Sequence, residues 1–312
     1  MTKAYHRPWP LFTAHLETVY PALFRKVSNV VYTRERIDTP DDDFLDIDWL
    51  RNNGSKLVII SHGLEGNTTR GYMKGMARAF FAQGYDVLTW NFRGCSEEMN
   101  RQLRFYHSGA TEDLQRIVEH AMSKGYKDIS LIGFSLGGNL ALKYLGERTP
   151  PEFIKRAVAI SVPLDLYQSS LKISQRSNWI YSKRFLDNLK EKIIRKSKLL
   201  GRLDVAGIEH IKTLLSFDDC YTAPLHGFAN AIEYYTHCSA MHYLNGITIP
   251  TLIVSASNDP FLSKSCYPAP GFITTSHVTF EETIHGGHVG FTQFNKNGLY
   301  WSEERALAFI IP

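Results

Sequence analysis

The stretch Leu131-Ile132-Gly133-Phe134-Ser135-Leu136-Gly137-Gly138-Asn139 decides the fold. It contains G-x-S-x-G with apolar residues on both sides. Upstream, Asp128 to Ile132 is short and apolar enough for a buried strand. Downstream, Leu140-Ala141-Leu142-Lys143-Tyr144-Leu145 reads as a helix. A serine in a turn from strand to helix is strained, and the flanking glycines let neighbouring chain segments pass closely. Ser135 would stand at the helix N-terminus, where backbone N–H groups favour developing negative charge. The pentapeptide alone arises by chance; the strand before it and the helix after it give it meaning.

Outward from this turn the same rhythm repeats. Leu57-Val58-Ile59-Ile60 is a continuous apolar run, expected of a strand buried on both faces. A helix follows, with Met73, Met76, Ala77, Phe80 and Phe81 on one face and Gly84 at its end. Then come a strand over Asp86 to Trp90, a loop over Asn91 to Ser108, and a helix whose buried face is Leu114, Ile117, Val118, Ala121 and Met122. After the Ser135 turn a strand is expected from Arg156 to Val162. Such alternation predicts an α/β fold: a mostly parallel central sheet with helices on both faces. Ahead of it, residues 1–29 read as an aromatic lead-in packed along the sheet. Val30 to Ile37 and Phe44 to Trp49 read as an antiparallel hairpin at the sheet edge, with Asp41-Asp42-Asp43 as its solvated turn. No further ligand stands at loop spacing to make that triple Asp a metal site.

The rhythm breaks at Pro163. From Leu164 to about Leu244 the patterns are helical, without a strand, so residues 164–244 are a candidate helical cap inserted in a single domain of residues 1–312. Within it, Leu186, Leu189, Ile193 and Leu200 mark an apolar face. Lys183, Arg184, Lys190, Lys192, Arg195, Lys196 and Lys198 form the opposite one, read as solvated, with a lipid-contacting face as the alternative. The sheet resumes at Thr251 to Ala256 and ends with Val278 to Thr283, and Trp301 to Ile310 reads as a closing helix.

A serine hydroxyl is a poor nucleophile until a base takes its proton, and a carboxylate fixes that base's tautomer. Functional groups gather outside the carboxyl ends of parallel strands, so residues just after strands are the ones to examine. Asp259, in a turn stiffened by Pro260, is the acid candidate. His288, among Gly286, Gly287 and Gly290, is the base candidate, with the glycines giving its loop the flexibility to place an imidazole. His285 and His107 are its rivals, and His107 precedes Ser135, which does not fit the order Ser, Asp, His of an α/β-hydrolase. His62-Gly63 sits where an oxyanion loop would. The backbone N–H groups of Leu64 and Leu136 are the expected donors, and His62 itself is expected to be structural.

Composition bounds the rest. A chain of 312 residues with 44% hydrophobic and 21% charged residues has the balance of a soluble globular protein. A net charge of +4 gives no sign of nucleic-acid binding. Cys95, Cys220, Cys238 and Cys266 are scattered, without zinc spacing, as expected of thiols in a reducing compartment. The first ten residues lack the apolar run of a signal peptide, and no run approaches the ~20 residues of a membrane span. The expectation is a cytoplasmic protein with no metal and no cofactor.

The chain resembles the YheT/EMB8 branch of the α/β-hydrolases, which takes in the ABHD1/ABHD3-type lipases and esterases. The resemblance runs through His15-Leu16-Glu17-Thr18, His62-Gly63-Leu64-Glu65-Gly66, Asn91-Phe92-Arg93-Gly94-Cys95-Ser96 and Tyr106-His107-Ser108-Gly109. It continues through the Ser135 turn, Phe217-Asp218-Asp219, Asn258-Asp259-Pro260-Phe261 and Gly286-Gly287-His288-Val289-Gly290-Phe291. Glu17 stands where a glutamine is usual and Asn258 where an acidic residue is usual. The resemblance implies carboxylester hydrolysis through Ser135, Asp259 and His288, on a small ester or an acylglycerol-type or phospholipid substrate, with peripheral lipid contact open. Acyl transfer to an alcohol is the alternative within the fold, and a non-catalytic binding module the alternative outside enzymes.

Overall fold

The computed structural model describes residues 4–311, so the lead-in over residues 1–29 and the 1–312 domain extent are followed only within that range. A first helix, α1 (Ala14–Phe24), precedes all strands, with Thr13 Oγ1 accepting from the Leu16 N–H at 3.2 Å as its N-cap. Sequence reading gave this segment no helix, because Pro21 interrupts its ladder and apolar residues ring it on every side.

The strands are β1 (Thr33–Thr39), β2 (Asp43–Leu50), β3 (Lys56–Ser61), β4 (Asp86–Trp90), β5 (Asp128–Phe134), β6 (Ile154–Ile160), β7 (Thr251–Ala256) and β8 (Val278–Thr283). They form one sheet in the order β1-β2-β4-β3-β5-β6-β7-β8. The pairs β1–β2 and β2–β4 are antiparallel, and all others are parallel. Strand β3 shows why the core runs are apolar throughout: Leu57 and Ile59 enter the core on one face, Val58 and Ile60 the core on the other. The helices α2 (Gly71–Phe81) and α10 (Trp301–Ile310) cover the second face, and α3 (Thr111–Ser123) and α4 (Leu136–Glu147) the first. Between β6 and β7 lie α5 (Leu166–Ile173), α6 (Trp179–Leu200), the short α7 (Leu214–Phe217) and α8 (Ala223–Leu225), and α9 (Ala231–Cys238), with no strand among the described residues there.

Two surface readings are corrected by burial. The turn at Asp41-Asp42-Asp43 is not solvated as a whole: Asp43 is fully buried and, with Asp41 and Asp113, binds the buried Arg93 guanidinium at 2.7–2.9 Å. An arginine with three carboxylate partners can lie in the interior because its charge is compensated on every side of the fork. The basic face of α6 is likewise divided. Lys183, Arg184, Arg195 and Lys198 are exposed, but Lys192 and Lys196 are buried. Lys192 Nζ meets Glu65 Oε1 at 2.6 Å, and Lys196 donates to the Asn100 side-chain carbonyl at 2.8 Å and to the Gln102 carbonyl.

Candidate active site

Ser135 stands between β5 and α4 with φ 50° and ψ −117°, a left-handed conformation that a non-glycine residue adopts only when its surroundings enforce it. They do: the Ser135 N–H donates to the Ile160 carbonyl at 2.8 Å. Gly137 is required by packing, since a Cβ there would come within 2.5 Å of the carbonyl oxygens of Ser61 and His62. The turn therefore presents the hydroxyl at the carboxyl end of the sheet.

His288 reaches that hydroxyl. Its Nε2 lies 3.0 Å from Ser135 Oγ, and its Nδ1 lies 2.8 Å from Asp259 Oδ2. The Asp259 side chain is fully buried and its Oδ1 accepts from the Phe261 N–H at 2.8 Å. The Phe261 ring packs on the imidazole, centroids 4.4 Å apart. Nδ1 facing a carboxylate carries the proton, which leaves Nε2 as the acceptor toward the serine.

The rivals lie elsewhere. His107 packs against His226, Phe228 and Tyr234, accepts from the Gly109 N–H at 3.2 Å, and is held neutral by burial. The buried Nδ1 of His285 has no hydrogen-bond partner among the described residues. Of the motif carboxylates, Asp218 accepts from the Tyr235 hydroxyl and Asp219 from the Ala231 N–H, so neither is the partner of His288.

The loop after β3 runs beside Ser135, whose Cβ would stand 3.2 Å from one built on Gly63. His62 fixes this loop: its ring bonds the Gly63 carbonyl at 2.8 Å and accepts from the Phe92 N–H at 3.1 Å. Burial pushes its pKa down to about 3, so it is a neutral strut. The amides of Gly63, Glu65 and Gly66 are committed to the Tyr72 hydroxyl, the Tyr106 hydroxyl and the Gly63 carbonyl. Leu64 and Leu136 line the cavity together with Ser135 and His288.

That cavity has a volume of about 410 Å³, the size of a small-molecule site. Its wall is mostly apolar, drawn from Leu136, Ile173, Phe185, Leu189, Leu214 and Leu262. Leu23 of α1 and Ile180 of α6 both line it and are largely exposed, which marks its mouth between these helices. Tyr181, also in the cavity wall, meets His15 of α1, hydroxyl to Nδ1 at 3.1 Å.

Sequence reasoning missed the residues that hold the histidine loop. The glycines there do not serve flexibility: α1 passes so close that a Cβ on Gly287 would stand 2.7 Å from Thr18 Oγ1, and one on Gly290 would meet the Glu17 carbonyl oxygen. Thr18 Oγ1 accepts from the His288 N–H at 2.9 Å, and Ser161 Oγ from the Val289 N–H at 2.9 Å. The two departures from the family pattern face each other: Asn258 Nδ2 donates to Glu17 Oε2 at 2.5 Å. Burial raises the Glu17 carboxyl pKa, opposed by the Asn258 and Gly286 N–H groups that bind it. The departures themselves were the available signal, since an exchange of amide and carboxylate between two positions is what a contact between them would allow.

Comparison with known proteins agrees with the geometry. The α/β-hydrolase fold family model matches residues 56–293. "Putative esterase YheT" of Escherichia coli (strain K12) is 35% identical over 285 residues, 89% of this chain and 84% of its own. Phospholipase ABHD3 of Bos taurus is 27% identical over 277 residues, 85% of this chain and 67% of its own. The solved structure of the Pyrococcus furiosus esterase Pf2001 matches with a TM-score of 0.60 at 20% identity, over 92% of this chain and 97% of that one, a likeness of fold. A strained serine at the sheet's carboxyl end, the histidine and buried aspartate behind it, and a match over most of the chain lead to one conclusion: the protein belongs to the α/β-hydrolase family, in the branch of YheT and ABHD3.

Proposed function

We propose that the protein is a serine esterase that cleaves carboxylic esters through an acyl-serine intermediate. The observation that carries this reading is the continuous relay Asp259 Oδ2–His288 Nδ1, 2.8 Å, and His288 Nε2–Ser135 Oγ, 3.0 Å, opening on an apolar cavity. Nε2 takes the hydroxyl proton as Ser135 Oγ attacks the ester carbonyl, and Asp259 stabilises the imidazolium that forms. The amides of Leu64 and Leu136 bind the oxyanion, each worth about 3 kcal/mol in the transition state. His288 returns its proton to the departing alkoxide, and the acyl group stays on Ser135. Water then repeats the sequence, with His288 as base, and releases the acid.

The helices between β6 and β7 act as a cap: α6 supplies Phe185 and Leu189 to the cavity wall, α5 supplies Ile173, and the wall they build favours an acyl chain over a polar group. Acyl esters and acylglycerol-type lipids are accordingly the substrate class, in keeping with the phospholipase among the relatives. The four unpaired cysteines fit a reducing, cytoplasmic compartment. The experiment is a panel of p-nitrophenyl esters of increasing acyl length, run on the wild type and on Ser135→Ala. Turnover on short and medium chains, lost by roughly a millionfold in the variant, is the expected result. Activity that survives in a folded Ser135→Ala variant would overturn the reading.

A further inference from the structure

The acid and the base of the site sit on two loops, after β7 and after β8, that one N-terminal helix ties together. Glu17 of α1 is fully buried. Its Oε1 accepts from the Gly286 N–H at 3.0 Å, and its Oε2 accepts from Asn258 Nδ2 at 2.5 Å. Asn258 Oδ1 in turn accepts from the Gly287 N–H at 3.1 Å. Asn258 precedes Asp259 in the chain, and Gly286 and Gly287 lead directly into His288.

We infer that Glu17 and Asn258 are a positioning pair that sets the Asp259–His288 geometry for the hydrolytic step, an inference that rests on reading Ser135, His288 and Asp259 as the triad. The two glycine amides dictate the chemistry of the pair. Each end must accept a hydrogen bond from an N–H, and the middle must be one donor facing one acceptor. A carboxylate and an amide meet that demand in either order. Two amides set N–H against N–H, or turn the mismatch outward onto a glycine amide. Two carboxylates set oxygen against oxygen in a buried site, where a like-charge contact is unfavourable unless one takes up a proton. The pair touches no reacting atom; it acts through the loops that hold Asp259 and His288.

Hydrogen-bond direction makes the inference testable by exchange. Glu17→Gln, Asn258→Asp and the double variant E17Q/N258D are compared with wild type for kcat and KM on a short-chain ester, for the rate of fluorophosphonate labelling, and for thermal unfolding. Each single variant is expected to lose tens- to a hundredfold in kcat and in labelling rate, the order of loss that a misplacement of about 1 Å produces, with KM within about threefold. The double variant, with the amide and carboxylate exchanged, is expected to return to within about threefold of wild type. Single variants as fast as wild type, or a double variant as slow as the singles, would overturn the inference. If a single variant does not fold, the double variant decides: wild-type-like kcat supports the pair, and a slow or unfolded double variant overturns it. A wild type that fluorophosphonate does not label would instead remove the triad reading, and the positioning role with it.

Discussion

Replacing the carboxylate of Asp259 by an amide tests its role without removing its bulk. An amide N–H placed against His288 Nδ1 favours the tautomer whose proton points at the serine, so Asp259→Asn is expected to fold normally and to lose about ten-thousandfold in kcat. Steady-state kinetics decide this, and a loss below about tenfold would mean that another carboxylate orients the ring. His107→Ala and His285→Ala should stay within about tenfold of wild type in kcat, because neither ring hydrogen-bonds Ser135, Asp259 or His288. Asp218 contributes to the pH dependence of stability. Burial lifts the Asp218 carboxyl to about 6 from an ordinary 3.8, against the hydroxyls of Thr222 and Tyr235 that donate to it. A carboxyl raised on folding binds its proton more tightly in the native state, so its stabilisation is full below pH 3.8 and is lost as pH rises through about 6. Urea midpoints at pH 4 and pH 7 should therefore show wild type losing about 1–2 kcal/mol relative to Asp218→Asn over that interval, discounted because Asp218 borders the cavity. Equal pH slopes for the two proteins would contradict it. That Ser135, Asp259 and His288 would meet was legible in the sequence, because each stands just after a strand in the order Ser, Asp, His. Glu17 and Thr18 were not, because their task is to accept hydrogen bonds from backbone amides some 270 positions away.

At the scale of elements, the strands were the most legible part. A continuous run such as Leu57 to Ile60 permits few alternatives to a strand buried on both faces, and only strand ends shifted, as at Ile154–Ile160. The helices were less so wherever charge lay inside. Alternation of charged and apolar residues along α6 predicts a solvated face, yet Lys192 is drawn under it by Glu65, whose carboxylate also accepts from the Tyr106 hydroxyl at 2.7 Å. Periodicity reports polarity, and an ion pair can bury a polar face that periodicity assigns to water. The contact joins α6 to the loop that bears Leu64. Lys192→Met leaves the Glu65 carboxylate buried without its cation and should cost about 3–5 kcal/mol. The Lys192→Met/Glu65→Gln double variant should recover much of that loss in a urea titration. A single variant as stable as wild type would show that the pair contributes little to holding α6 against that loop.

For the molecule as a whole, the sheet order gathers three residues from distant parts of the chain at the carboxyl ends of β5, β7 and β8, with β6 between the first two, and the helices between β6 and β7 line the cavity beside them. Both hydrolysis and transfer to an alcohol would pass through the same acyl-serine. They differ in what reaches it. Water needs no acceptor site, and the cavity wall is largely aliphatic and aromatic, so free acid should dominate when one acyl ester is supplied with increasing glycerol. New ester far beyond the alcohol's share of the solvent would make transfer the better description. Beneath both outcomes lies the claim that Ser135 carries the acyl group. It is tested most directly by labelling the intact protein with a fluorophosphonate and mapping the adduct by peptide mass spectrometry. One adduct is expected, on Ser135, absent from Ser135→Ala and slowed in His288→Ala; no adduct on the wild type, or an adduct on another residue, would rule that claim out.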